Sequence, residues 1–173
     1  MGRIASLNVS AGGVPKLPVV EARVTLDGME GDRQRDRRHH GGADRALSLY
    51  SLECIDALRL EGHTIAPGAA GENVTLTDVD WRRVRPGARL QLGPIEIEIT
   101  GFAHPCRNIR PFFLDDDANR ISEKLHPGWS RVYARILTAG VLRVGDDVTL
   151  WDDGDALDLD LGAGAGETRD GHG

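Results

Sequence analysis

Residues 89–100 read RLQLGPIEIEIT, and their pattern points to a β fold. Ile95, Ile97 and Ile99 alternate with Glu96, Glu98 and Thr100, a period of two with one apolar and one polar face. Gly93 and Pro94 turn the chain back onto residues 89–92, so the pair predicts a hairpin. Similar segments recur on both sides. Residues 3–9 (RIASLNV), 19–26 (VVEARVTL), 46–50, 72–76, 130–138 (SRVYARILT), 141–145 and 148–151 all predict strands. Two short helices are expected. One runs over residues 52–60, capped by Ser51, with Leu52, Ile55 and Leu58 on one face and Gly62 at its end. The other runs over 119–125. Strands that outnumber the helices and do not alternate with them argue against a doubly wound parallel sheet. The expected fold is mainly β, a closed or nearly closed barrel of about seven strands with a few short helices.

The chain has 173 residues and a formal net charge of −6. That charge is unevenly placed. Residues 152–173 hold seven acidic residues and one arginine, so residues 1–151 carry 20 acidic and 20 basic side chains. Residues 1–151 read as one domain. Residues 152–173 read as an acidic, glycine-rich tail, expected to be disordered or loosely attached. A neutral body argues against binding a nucleic-acid polymer. No run of 18 apolar residues is present, so no membrane helix is expected. Two cysteines, Cys54 and Cys106, are too few for a disulfide scaffold, and a cytoplasmic location with free thiols is expected.

The most distinctive loop is GDRQRDRRHHGGADR at 31–45, with a net charge of +2 and paired glycines. Guanidinium groups and free backbone N–H groups suit a phosphate or another anion, although a solvated surface loop has the same composition. The most informative single residue is Cys106. His104, Arg107 and Arg110 surround it in sequence, which favours the thiolate, the nucleophilic and metal-binding form. The alternative is a small buried hydrophobe, the usual fate of a free cysteine, and Cys54 in its amphipathic helix fits that description. A zinc site using His39, His40 and Cys106 lacks any supporting spacing. Gly71-Glu72-Asn73 offers a bend, a carboxylate and an amide. Arg131, Tyr133 and Arg135 share one strand face.

These pieces resemble the MOSC domain family, named for the C-terminal domain of molybdenum cofactor sulfurases, and within it the small stand-alone bacterial members. The matching stretches are SLNVSAGGVPKLPV at 6–19, GMEGDRQRDRRHHGGADRALSLYSLE at 28–53, PGAAGENVTL at 67–76, DWRRVRPGARLQLG at 80–93, EITGFAHPC at 98–106 and GWSRVYARILTAG at 128–140. The resemblance covers about residues 3–151. It implies a β-barrel fold and binding of the molybdenum cofactor, a pterin dithiolene with a terminal phosphate, sometimes extended by a nucleotide. It implies that Cys106 ligates molybdenum and that N-hydroxylated compounds, such as hydroxylaminopurine-type base analogues, are reduced. A partner redox protein would supply the electrons. Lys16, Arg38, His40, Gly41, Gly42, Arg45, Asn73, Arg107 and Arg131 are the candidates to hold the cofactor. Asp44 and Glu72 would orient them or accept pterin N–H groups. His40 or His104 is the candidate proton donor. The pyridoxal-phosphate domain of the sulfurases does not fit in a chain of this length. The alternative function is a non-catalytic carrier of the cofactor, or of sulfur as a persulfide on Cys106. Oligomeric state is left open.

Overall fold

A computed structural model describes residues 1–33 and 42–151 of the protein. Eleven strands and one α-helix are present among them: β1 (Gly2–Val9), β2 (Leu17–Val19), β3 (Glu21–Thr25), β4 (Gly28–Met29), β5 (Leu47–Ser51), α1 (Leu52–Leu60), β6 (Val74–Thr77), β7 (Arg89–Leu92), β8 (Ile95–Phe102), β9 (Val132–Ile136), β10 (Gly140–Arg143) and β11 (Asp147–Leu150).

Seven strands close a barrel in the order β1-β11-β7-β8-β9-β5-β6 and back to β1. Closure removes the exposed sheet edges. The first residues of β1 pair with β11, while Leu7–Val9 pair with β2 on the same side. A small sheet, β10-β3-β4, lies beside the barrel. Every barrel pairing is antiparallel except β5 with β6. A parallel pair needs a crossover, and α1 with the loop at 61–73 supplies it. The hydroxyl of Ser51 accepts the Cys54 N–H at 3.2 Å, capping α1 where the sequence places the start. Ile55 and Leu58 turn inward and are fully buried.

The alternation in β8 holds in three dimensions. Ile95, Ile97 and Ile99 are buried in the barrel, and Glu96 and Glu98 face outward, where Arg89 pairs with both. The core is largely aliphatic, as scarce aromatics require.

Three local expectations are corrected. The strand expected over 19–26 is two strands, because Val20 is 81% exposed and turns the chain from the barrel into the small sheet. The helix expected over 119–125 is a short 3-10 turn at Ala118–Ile121. Asp117 caps it through the Asn119 N–H, and Ser122 already has extended backbone. The strand expected from residue 72 starts at Val74, because the side chains of Glu72 and Asn73 are engaged in holding a loop.

The register of β8 predicts unequal costs for adjacent substitutions. Ile97→Ala should destabilise the protein by about 2–5 kcal/mol in urea unfolding, and Glu98→Ala by under about 1 kcal/mol. Equal losses would mean that the two faces are misassigned.

Candidate functional site

β5 and β9 pair with Ser48 opposite Tyr133 and Leu49 opposite Val132. Leu47, Leu49, Val132 and Ala134 point into the barrel and are fully buried. Ser48 and Tyr133 therefore project from its outer wall. Arg131, just before β9, joins them by the same alternation. Three irregular segments fold over this wall: 10–16, 68–73 and 103–109. They enclose a cleft of about 300 Å³ whose lining includes Lys16, Arg33, His104, Cys106, Arg131 and Tyr133.

The first wall depends on two glycines. Gly68 has φ +84°, and a Cβ there would lie 2.3 Å from the Lys16 carbonyl oxygen. Without that Cβ, the Lys16 N–H reaches the Gly68 carbonyl at 2.9 Å. Gly71, also at φ +84°, lies against Val14. The loop 10–16 thus rests directly on the backbone of PGAAG.

Asp32 fastens the same loop from below. Its carboxylate accepts the Ser10 N–H at 2.9 Å, the Lys16 ammonium at 2.6 Å and the Asn73 side-chain amide at 2.9 Å. The Lys16 and Asp32 side chains are only 10% and 7% exposed. Asn73 in turn accepts the Ser48 N–H through its amide oxygen at 3.1 Å and donates to the Asn8 carbonyl.

Arg131 builds the second wall. It is 6% exposed, and its guanidinium donates to the carbonyls of Ala70 and His104, tying the two irregular segments together. Its Nε is buried with no acceptor among the described residues. Both of these acceptors are neutral carbonyls, so the wall keeps a cationic character that Lys16, paired with Asp32, does not share. Cys106 is half-buried and precedes the 3-10 turn Arg107–Phe112, which the buried Ile109 anchors. His104 and Asn108 are exposed at the cleft.

The residues singled out in the sequence fall into four groups. Cys106, His104, Lys16 and Arg131 line the cleft together. Glu72 and Asn73 lie behind it: the Glu72 carboxyl accepts the Gly68 N–H at 2.7 Å and the Thr75 hydroxyl at 3.1 Å, so it shapes the loop. Gly42, Asp44, Arg45 and Arg107 are not lining residues. Arg107 is exposed, Asp44 is bound to Arg135, and the Arg45 guanidinium sits 5.1 Å from the centre of the Tyr133 ring. Arg38, His40 and Gly41 lie outside the described residues, as does His39. Cys54 is half-buried, its thiol 3.9 Å from the Gly128 carbonyl and pushed up in pKa by burial, consistent with packing. Among the described residues no three His, Cys, Asp or Glu cluster as metal ligands. Sequence reasoning did not assign a role to Asp32, Ser48 or Asn108. Nothing local marks Asp32, because its partners are at positions 10, 16 and 73.

Glu72 carries a pH signature. Complete burial pushes its carboxyl above the usual carboxylate range, against the Gly68 N–H, its own N–H, the Thr75 hydroxyl and the Arg131 charge, which favour the anion. The unfolded chain releases this proton near pH ~4.3 and the folded chain holds it higher. Between those values the folded state binds more protons, so stability falls as pH rises. Glu72→Gln removes that slope. Its stability relative to wild type should therefore rise between pH 4 and pH 7 in urea unfolding, and parallel profiles would contradict this.

A MOSC domain family model matches residues 36–149. YflK of Bacillus subtilis (strain 168), an uncharacterized protein, is 24% identical over 141 residues, covering 80% of this chain and 62% of YflK. The chain thus spans under two thirds of that relative's length. Among solved structures, YiiM from Geobacillus stearothermophilus superposes with a TM-score of 0.67 at 23% identity, covering 94% of this chain and 78% of YiiM. YuaD from Bacillus subtilis gives 0.69 at 17% identity, with 87% and 96% covered. These share the fold. On the family match and the barrel together, the chain belongs to the MOSC domain family.

Proposed function

We propose that the protein binds the molybdenum cofactor in this cleft and reduces N-hydroxylated compounds, hydroxylaminopurine-type base analogues among them, with the Cys106 thiolate as a molybdenum ligand. Membership of the MOSC family supports a function tied to the molybdenum cofactor. The observation that carries the reading is one cleft holding a half-buried thiol and a buried arginine whose Nε lacks an acceptor among the described residues. The donor set fits the group: a soft sulfur for the metal, and a cationic wall for the phosphate.

Arg131 and Arg33, which both line the cleft, would hold the anionic end. Lys16 serves mainly to neutralise Asp32 and keep the loop 10–16 in place. The cofactor supplies two-electron redox chemistry when bound. Converting N–OH to N–H consumes two electrons and two protons and releases water. His104, exposed at the cleft, can deliver a proton to the departing oxygen. His40 is the second candidate for that task. Electrons would come from an external redox protein.

A second reading is a carrier that holds sulfur as a persulfide on Cys106. Its support is that this sulfur has no hydrogen-bond partner among the described residues and opens into the cleft. The two readings separate experimentally. Protein reconstituted with molybdenum cofactor should turn over a hydroxylamine or amidoxime with an artificial electron donor. Cys106→Ala should lower turnover and retained molybdenum by about 100-fold. Sulfide released by dithiothreitol from untreated protein, without turnover, would favour the carrier. Full activity in Cys106→Ala would remove the ligand assignment.

A further inference from the structure

Metal ligation, anion binding and proton delivery leave Asn108 and Tyr133 of the cleft without a task. Asn108 belongs to the 3-10 turn Arg107–Phe112 and follows Cys106 by two residues. That turn is held at both ends. The Ile109 N–H donates to the Cys106 carbonyl at 3.3 Å, the Phe113 N–H donates to the Arg110 carbonyl at 2.9 Å, and the Ile109 side chain is fully buried. The Asn108 side chain is exposed at the cleft and has no hydrogen-bond partner among the described residues. Tyr133 stands on the barrel wall, with the Arg45 guanidinium 5.1 Å from its ring centre.

The other polar groups lining the cleft lack what a carboxamide offers. Lys16, Arg33 and Arg131 are cations and only donate. The Ser48 hydroxyl accepts the Asn73 N–H at 3.3 Å and lies 3.2 Å from the Gly71 carbonyl, so both of its roles are taken. An imidazole such as that of His104 carries its two nitrogens on diverging sides of the ring. Among the described lining residues, Asn108 alone presents a donor NH2 and an acceptor C=O side by side. The complement of that pair is an exocyclic N–H next to a ring or imino nitrogen, which is the amidine edge. Asn pairs with adenine through the same two contacts in nucleic-acid recognition.

We infer that Asn108 is a specificity-determining residue, which pairs with the amidine edge of the substrate while Tyr133 gives the ring an aromatic surface. The inference rests on the reductase reading of the cleft. It narrows the substrate class to N-hydroxylated amidines on flat rings, as against alkyl hydroxylamines, which have no second nitrogen to accept the Asn108 amide. Pairing with this edge keeps the exocyclic nitrogen, the one that bears the hydroxyl, close to Cys106.

The test separates recognition from turnover. Reduction of 6-hydroxylaminopurine takes up two electrons and two protons and gives adenine and water. Adenine retains the amidine edge, and purine lacks the exocyclic amine. In calorimetric titration of the cofactor-loaded protein, or of the protein as purified if it takes up no cofactor, adenine should bind about tenfold tighter than purine. Asn108→Leu should bind the two equally. Tyr133→Leu should weaken both by about tenfold and keep their ratio. In turnover, Asn108→Leu should lose about tenfold in kcat/KM for an amidoxime and be unchanged for an alkyl hydroxylamine. Thermal unfolding verifies that each variant is folded. Equal binding of adenine and purine by wild type, or an adenine preference retained in Asn108→Leu, would overturn the inference. Failure of the reductase reading looks different: no N-hydroxylated compound is turned over by wild type, while the adenine preference and its loss in Asn108→Leu remain.

Discussion

One carboxylate, Asp32, joins parts of the chain that the barrel alone would leave apart. Its two oxygens take a backbone N–H from the loop after β1, an ammonium from the end of that loop, and an amide from the entry to β6. Each partner is charged or rigidly placed, and the site is largely withdrawn from water. Hydrogen bonds to a buried charge contribute more than neutral ones, and losing any partner leaves that charge uncompensated. The cleft therefore has a fixed floor and one fixed wall before any ligand arrives. Such pre-organisation is what a binding site requires.

The electrostatics of the cleft follow from which charges are compensated. Lys16 lines it but has its counter-ion at 2.6 Å. Arg131 is equally withdrawn from water, yet its partners are carbonyl oxygens. The nearby Glu72 carboxyl is pushed toward its neutral form by burial, which limits how far it offsets that arginine. The positive end of the cleft is consequently the Arg131 side, which is also the side of His104 and Cys106. A soft sulfur and a cationic wall in one cavity are the two features on which the proposed binding of a metal-bearing, anionic cofactor rests.

Much of the barrel was legible in the sequence because strand alternation is a local property. Ile95, Ile97 and Ile99 announced their face, and Ser51 announced the start of α1 within one residue. The split at Val20 was not legible, since β-branched residues on both sides hide a change of sheet. The helix expected near 119–125 had the right composition, but Asp117 and Ser122 close it after one turn. In the cleft, Cys106 could be found from its immediate neighbours, and Arg131 from its place on a strand face. The turn PGAAGEN read as a bend. That its glycines exist to admit a second loop depends on Lys16 and Val14, some fifty residues away, which no local pattern encodes. The assignments of Arg38, His40 and Gly41 rest on the composition of the 31–45 loop and on family resemblance, because those residues lie outside the described ones.

The MOSC barrel supplies a rigid wall, and the site is assembled on its outer surface from irregular segments. The fold is kept at identities near 20%. For this chain the central claim concerns one sulfur atom. X-ray absorption at the molybdenum edge of cofactor-loaded protein counts the sulfur ligands directly. The account predicts one thiolate beyond the dithiolene pair in wild type, missing in Cys106→Ser. Identical sulfur shells in the two proteins would contradict it.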